Sequence, residues 1–465
     1  MTQLMNNPSN VQITAVIAPG PQKLEGVISA QPSKNYTTRF LLGAALADGE
    51  SIIHNVATSE DAAALQRCLC RLGATIELRR RSSEEGDPHL AGQVDAVVKG
   101  TSGRFVLQDD GPLNPGNAGA VLRFLLAVCA LLPRVTFVTD RPESLGRRPN
   151  GDLLEALEQL GCRCESENGC LPITLYGGKL KGGRVEISGA RSSQFLSGLL
   201  FLAPLIGEPL EICVRDRLVS RAPVRQTLEV LRQFGVMVDA SDDLMHFVVT
   251  PQSFRAGEYT VNGDWPGSAA ILACGAVTKS HIKVSNLSDD NQGEKLAADV
   301  LRRMGAEVAF DNNGVVLRGG PLRAVDFDGD LATDAVLALV GAACLAKGTS
   351  RFYNVSNLRI KECDRISEPL AELRRIGVKC WEGREIGDTD PDAIIIEGSP
   401  EGYEGGIEVD GRGDHRVIML LTIVGLRCRR GLRIRGAQHV AKSYPLFFEH
   451  LQRLGANVSL RKEEL

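Results

Sequence analysis

The side chains of this sequence that could do chemistry recur at matched places. Arg148, Gln292, Arg365 and Lys442 each lie twelve or thirteen residues ahead of a glycine, Gly161, Gly305, Gly377 and Gly455 in turn. A second set opens long apolar runs: Lys34 and Arg39, Asn117, Ser192 with Ser193 and Gln194, Asp264, Asp334, and Asp414 with Arg416. Both sets fall where helices should begin. Helix starts present free backbone N–H groups and partial positive charge, so if these starts converge they make an anion site. The dipole is worth only about 0.3–1 kcal/mol per helix, and a multiply charged ligand needs the Arg and Lys side chains too. Arg148, Arg365 and Arg416 oppose the dipole and have no capping use, which favours a ligand role, whereas Ser192, Asp264 and Asp414 are also residue types of N-caps. His415 beside Asp414 reads either as an acid–base pair or as a hydrogen-bonded structural residue. The run Arg79–Arg81 reads as a solvated strand end.

The elements that must position these groups are visible as a sixfold repeat. LCRLGATI around Gly73, LEQLGCRC around Gly161, LRQFGVMV around Gly235, LRRMGAEV around Gly305, LRRIGVKC around Gly377 and LQRLGANV around Gly455 share one pattern, with a mean spacing of about 76 residues. Each reads as the end of an amphipathic helix, a glycine in the left-handed region, and a strand. Between them lie six apolar runs opened by small or polar residues, beginning at Ser33, Gly116, Ser192, Gly263, Thr333 and Gly413. Their nearly all-round apolarity predicts buried helices, while the Arg, Glu and Gln of the glycine-phrase helices predict outer ones. A repeat on this scale decides the architecture.

Composition bounds the rest. At 465 residues the chain exceeds what one core usually supports, and two domains of three repeats each is the natural partition. No uncharged run reaches the roughly 18–20 residues of a membrane span, and the N-terminal MTQLMNNPSN has no signal-peptide character. Twelve cysteines without a secretory signal imply free thiols, and none shows the two-residue gap of a zinc motif; Cys129, Cys213, Cys274 and Cys344 read as core. A net charge of −4 argues against nucleic-acid binding.

The strings SKNYTTR, GNAGAVLR, RRPNGDLLEAL, SSQFLSGLL, NGDWPGSA, TDAVLAL, NLRIKECDRI, GDHRVIM and AKSYPLFF occur in this order, in register with the repeat. Together they resemble the enolpyruvyl transferase superfamily, and within it the branch that acts on 3-phosphoshikimate, from about Gly26 to Leu454. The resemblance implies an α/β fold (α+β by some schemes) of two domains, each of three βαβαββ repeats in an inside-out α/β barrel. Residues 33–263 would form one domain and 1–32 with 264–465 the other, hinged near 32 and 263, with the active site in the cleft between them. The implied reaction moves the enolpyruvyl group of phosphoenolpyruvate to the 5-hydroxyl of 3-phosphoshikimate through a tetrahedral intermediate, with release of phosphate and without metal or cofactor. The implied partners are these small molecules only, with no nucleic acid and no membrane, for a cytoplasmic monomer.

The same resemblance implies the roles. Asn35, Arg39, Ser192, Ser193, Ser220, Asn357 and Lys361 would hold 3-phosphoshikimate, and Asn117, Gly119, Arg148, Arg365, Arg416 and Lys442 phosphoenolpyruvate. Lys34 and Gln194 would contact both. Asp334, beside the acceptor, would take the 5-hydroxyl proton; Glu362, with Lys34 nearby, would protonate the methylene carbon and later remove that proton. Two phosphates at about −1.5 to −2 each with two carboxylates are roughly balanced by Lys34, Arg39, Arg148, Lys361, Arg365, Arg416 and Lys442. Several positions depart from the common pattern: Pro32 and Asn35 flank Ser33-Lys34 where glycine and serine are usual, Ala120 and Phe124 follow the Asn-Ala-Gly turn, and Arg221, Pro223 and His439 replace other types. Two alternatives remain, enolpyruvyl transfer to UDP-N-acetylglucosamine and an inactive binding relative. Against the first, the chain lacks a Gly-Gly-Cys loop and has Lys361-Glu362-Cys363-Asp364-Arg365 and Asp414-His415-Arg416.

Overall fold

A computed structural model describes residues 11–20, 22–81, 93–311 and 313–464. The N-terminal decapeptide read above for a signal lies outside the described residues. Thirteen helices other than short 3-10 turns are present among them: α1 Lys34–Leu46, α2 Glu60–Arg71, α3 Gly119–Cys129, α4 Gly151–Gln159, α5 Ser193–Leu202, α6 Arg221–Gln233, α7 Trp265–Val277, α8 Leu296–Met304, α9 Val336–Ala343, α10 Ser367–Ile376, α11 Gly383–Ile386, α12 His415–Gly425 and α13 Phe447–Arg453.

The six apolar runs form α1, α3, α5, α7, α9 and α12, and the glycine-phrase segments form α2, α4, α6, α8, α10 and α13. Every residue of α7 and of α12 is buried, as all-round apolarity requires. By contrast α6 buries only Val224, Gln226, Thr227, Val230 and Leu231 along one stripe. All six phrase glycines are left-handed, with φ of +101° at Gly73, +98° at Gly161, +79° at Gly235, +114° at Gly305, +103° at Gly377 and +97° at Gly455. The C-cap shows why: the Gly377 N–H donates back to Arg374, and the turn then releases the chain into Lys379–Glu382.

Six sheets carry the repeat. In each, an outermost strand is the one that follows a phrase glycine: Thr75–Arg80, Arg163–Glu167, Asp239–Ala240, Glu307–Asp311, Lys379–Glu382 and Val458–Glu464. The strand after each buried helix pairs antiparallel toward that side, and in five sheets it pairs parallel with a short strand on the other. The sixth sheet, Val135–Phe137 with Cys170–Tyr176 and Arg163–Glu167, has only a parallel bridge, Leu113 to Phe137, in that fourth place. Val11–Ile17 closes the last repeat by lying between Leu432–Arg435 and Val458–Glu464.

The chain divides into two compact units. One is continuous, Pro32–Asn262; the other is split, comprising the chain up to Gln31 and from Gly263 onward. These junctions fall one residue ahead of the boundaries expected at 32/33 and 263/264. Gly263 is fixed within the split unit, where its carbonyl accepts from Gln292 Nε2 at 2.8 Å. At each junction a strand parts from the helix that follows it. Glu25–Ser29 pairs with His281–Ser285 in the split unit, although α1 belongs to the other. Glu258–Thr260 pairs with Glu50–His54 in the continuous unit, although α7 does not. Each unit has its own core; that of the continuous unit is built on Phe40, Phe124, Phe201, Phe234, Phe254 and Tyr259.

Among the sequence expectations for surface and core, two need correction. Arg79 is exposed and pairs with Glu77, but Arg81 is half-buried, with its Nε 2.8 Å from Asp95. Cys129, Cys274 and Cys344 are core, whereas Cys213, though buried, belongs to the outer face of its sheet, two residues from Glu211 and opposite His246.

The left-handed glycines yield a stability test within one unit. A methyl group on Gly377 would meet nothing within 4 Å, whereas on Gly305 it would lie 2.7 Å from the Pro321 carbonyl oxygen. Gly377→Ala is expected to cost only the left-handed backbone penalty, about 1–2 kcal/mol; Gly305→Ala should cost more. Urea denaturation of both variants checks this, and equal losses would mean that the Pro321 contact relaxes freely.

Candidate active site

In the split unit, the approaches to five helices are joined by one polar network, and a separate bond ties a sixth, α7, to the turn ahead of α8. The centre of the network is Arg365, just ahead of α10, whose side chain is 3% exposed. Its Nε donates to Asp414 Oδ2 at 2.8 Å and its Nη2 to Glu362 Oε2 at 2.8 Å, while Nη1 reaches Asp334 Oδ1 at 3.2 Å. The other Glu362 oxygen accepts from Lys442 Nζ. Lys442 ends the 3-10 turn Ala437–Lys442 that leads toward α13. Asp414 also caps α12, its Oδ1 accepting the Arg416 N–H at 2.8 Å. Asp334 lies on the 3-10 segment Gly329–Ala335, which kinks at Ala332 and feeds α9. The Asp334 N–H donates to Glu294 Oε1 at 3.3 Å, just ahead of α8, and Gln292 Oε1 accepts the N–H of Trp265 at the start of α7 at 3.1 Å.

Electrostatics follow from this crowding. Burial, with the Asp334 charge next in weight, pushes the Glu294 carboxyl up to about 7. Three carboxylates overcome burial and hold the Arg365 guanidinium above its ordinary value. Arg416 is 4% exposed; its Nη1 meets Met419 Sδ at 3.9 Å, and its Nε makes no hydrogen bond. A buried guanidinium edge so poorly satisfied is a place where an anion gains most. His415 fits neither sequence reading. Its Nδ1 makes no hydrogen bond and Asp414 Oδ1 is 3.7 Å away, so the two form no hydrogen-bonded acid–base pair, and burial followed by the Arg416 charge holds the imidazole well below the ordinary histidine value. Asn357 is buried, with Nδ2 3.4 Å from Thr333 Oγ1, and Lys361 closes the turn Ser356–Ile360.

The continuous unit gathers the remaining residues around two groups of helix starts. Lys34 Nζ is 3.0 Å from Asp61 Oδ2, which ties the start of α1 to that of α2. Arg39 is 2% exposed and donates to Thr227 Oγ1 and to the carbonyls of Asn35 and Pro223. It faces the Phe124 ring at 5.1 Å, and burial lowers its pKa to about 10. Ser220 precedes α6 in the left-handed region, φ +52° and ψ +64°, a strained position for a residue with a Cβ. At the second group, Arg123 Nη1 donates to Gln194 Oε1 at 2.6 Å and to Ser192 Oγ at 3.4 Å, and its Nε to Asn150 Oδ1 at 3.4 Å. A methyl group on Gly119 would lie 2.9 Å from Arg148 Nη1, 3.6 Å from Arg123 Nη1 and 3.8 Å from Gln194 Oε1, so any larger residue would shift the Arg148 guanidinium. Asn117 lies two residues ahead of α3, and Ser193 is buried in the first turn of α5.

Capping separates the buried helices. Ser192, Asp264 and Asp414 cap α5, α7 and α12 with their side chains, as residue types of N-caps can, and Ser33 does the same for α1. The N-caps of α3 and α9, Ala118 and Ala335, supply no side-chain cap. Sequence reading passed over Asp61, Arg123 and Glu294. Of these, Arg123 left a trace, as an arginine inside the apolar run GAVLRFLL.

The EPSP synthase (3-phosphoshikimate 1-carboxyvinyltransferase) family matches residues 18–451. A curated 3-phosphoshikimate 1-carboxyvinyltransferase of Deinococcus radiodurans is 50% identical over 95% of this chain and 96% of its own. That of Burkholderia pseudomallei is 37% identical over 98% and 97%. Among solved structures, the fold is similar to EPSP synthase from Acinetobacter baumannii, with a TM-score of 0.77 at 23% identity over 97% of this chain and all of that one. It is also similar to the enolpyruvyl transferase NikO from Streptomyces tendae, TM-score 0.75 at 16% identity over 98% and 100%. Matched along nearly its whole length, with half its residues shared with one such relative, the chain belongs to the EPSP synthase family.

Proposed function

We infer that this chain transfers the enolpyruvyl group of phosphoenolpyruvate to the 5-hydroxyl of 3-phosphoshikimate and releases inorganic phosphate. The observation that carries the chemistry is the pair of carboxylates on one guanidinium, Asp334 and Glu362 on Arg365. Addition of an alcohol across an enol double bond needs a base for the hydroxyl and an acid for the carbon at once. The two carboxylates stand in different surroundings: the Asp334 side chain is 27% exposed, that of Glu362 only 7% and flanked by Lys442. Such a difference allows two like groups to take opposite roles.

In the assigned sequence the acceptor oxygen attacks C2 of phosphoenolpyruvate while Asp334 takes its proton and Glu362 gives one to C3, forming the tetrahedral intermediate. Glu362 then removes a proton from C3, the C2–C3 double bond re-forms and the phosphate leaves with the C2–O electron pair. Arg365, Arg416 and Lys442 neutralise the charge of phosphoenolpyruvate, as do Arg148 and the N–H groups around Asn117 and Gly119. Ser192, Ser193 and Gln194, held by Arg123, receive 3-phosphoshikimate, with Lys34, Asn35, Arg39, Ser220, Asn357 and Lys361. The same reading takes the enzyme as a cytoplasmic monomer serving small molecules alone; no helix among the described residues is long and apolar enough to cross a membrane.

Phosphate release from phosphoenolpyruvate is the direct test, run with 3-phosphoshikimate, with UDP-N-acetylglucosamine and without acceptor. Release with 3-phosphoshikimate alone is expected, and release with the nucleotide sugar alone, or with neither, would overturn the reading. Asp334→Asn and Glu362→Gln should each lower kcat by about 10²–10⁴-fold, the usual worth of a positioned acid or base. Gly119→Ala should displace the Arg148 guanidinium and raise KM for phosphoenolpyruvate by roughly ten- to a hundredfold with a smaller loss of kcat, measured by steady-state kinetics.

Glu294 generates a pH test. Its folded pKa of about 7 lies above the ordinary 4.5, so the folded state holds its proton more tightly than the unfolded one. Stability from this group is complete below about 4.5 and is lost as pH rises through about 7. Denaturation of Glu294→Gln between pH 4.5 and 8 should therefore show a flatter decline than that of the parent, the gap widening by on the order of 2–3 kcal/mol toward the upper end; parallel curves would assign the titration elsewhere.

A further inference from the structure

Among the described residues, one group outside the helix starts brings together three side chains of metal-ligating type: Glu211, Cys213 and His246. Glu211 and Cys213 lie two residues apart on Leu210–Val214 and so share a face, and His246 on His246–Val249 is the antiparallel partner of Cys213. The alternate residues Leu210, Ile212, Phe247 and Val249 are fully buried, which sets the triad on the outer face of the sheet. Cys213 Sγ is 3.5 Å from Glu211 Oε1 and 3.4 Å from His246 Nδ1, and the three ligand atoms all lie within 4.8 Å of one another.

These distances have a chemical meaning. With zinc bonds of about 2.3 Å to sulfur and about 2.0–2.1 Å to nitrogen or oxygen, a tetrahedral centre separates the sulfur from either lighter ligand by about 3.5 Å. The two sulfur separations, which hydrogen bonds of the thiol now span, fall close to this value. Thiol, imidazole and carboxylate together suit a borderline-soft divalent ion rather than magnesium or calcium, which favour oxygen alone. We propose that Glu211, Cys213 and His246 form a binding site for a zinc-class divalent cation, unconnected with the transfer reaction, that clamps the two strands together. Bound thiolate and carboxylate neutralise the ion. Glu186, in register beside Cys213 on Gly183–Ile187, is paired with Arg184 at 3.2 Å on the exposed surface, and the fourth position falls to water or to this carboxylate.

The experiment titrates the chelator-stripped, reduced full chain with Co²⁺, followed by Zn²⁺ as competitor. One equivalent of cobalt should develop a thiolate-to-metal charge-transfer band that zinc abolishes. Cys213→Ser should remove that band. His246→Ala should weaken cobalt binding by more than about tenfold, since even outer-shell partners of metal ligands are worth about 10- to 100-fold in affinity. His246 is exposed, so its variant retains the fold, and unchanged turnover in both variants confirms an intact enzyme. The absence of a one-equivalent band, or a band and affinity undiminished in both variants, would overturn the proposal by assigning any binding to other thiols.

Discussion

A buried guanidinium surrounded by carboxylates sets the terms for the rest of the split unit. Removing the charge of Arg365 from water costs several kcal/mol unless partners replace the solvent. Asp414 does so through Nε and Nη2, Glu362 through Nη2 and Asp334 through Nη1, and each comes from a different approach to a helix. Asp414 is the hinge of this arrangement, because the same carboxylate caps α12. Loss of that one side chain would free a helix start and strand a buried cation together. For the inferred reaction the arrangement has a further consequence. The cation that receives an anionic substrate is the one that holds the two carboxylates proposed as acid and base, so an arriving anion competes with them for Arg365 and releases them toward their proton transfers.

The repeated architecture was open to sequence reading because its signals are local. A left-handed glycine at a helix end, an all-round apolar helix and a one-sided amphipathic helix each follow from a few neighbouring residues, and six copies in register leave little freedom of interpretation. Gly73, Gly161, Gly235, Gly305, Gly377 and Gly455 all adopt the conformation that their phrase requires. That Arg365, Lys442 and Asp334 could meet followed only if the repeated helix starts converge, and Glu362 was legible only through the motif strings, since no local rule says that helix starts tens of residues apart share hydrogen bonds.

What escaped the sequence was tertiary in origin. Glu294 looks like an ordinary acidic residue near a helix start until the fold buries it against the Asp334 backbone. Asp61 reads as a first-turn acid of α2, which it is, but its partner Lys34 comes from another helix. Arg123 belongs to a buried helix and earns its place through Gln194, Ser192 and Asn150. The adjacent pair Asp414-His415 misled for the opposite reason: neighbours in sequence at a helix start do not face one another, so Asp414 turned to Arg365 while His415 was buried neutral.

Departures from the repeat are the sharpest guide to where it has been adapted. Five sheets carry a parallel outermost strand beside the strand that follows their buried helix; in the sixth this strand is reduced to the Leu113–Phe137 bridge, and the chain reaches α3 by a loop through Asn114, Gly116 and Asn117. Of the buried helices, α3 and α9 alone begin on alanine without a side-chain cap. A capping side chain would satisfy the first N–H groups permanently; its absence at α3 leaves them open to a ligand, at a stability cost of about 0.5–2 kcal/mol, whereas α9 continues the 3-10 segment Gly329–Ala335, which Asp328 caps. The open start of α3 lies beside Gly119, where the inferred reaction needs N–H groups near phosphoenolpyruvate. A scaffold kept only for stability has no reason to leave uncapped the helix start that lies nearest the proposed phosphoenolpyruvate site.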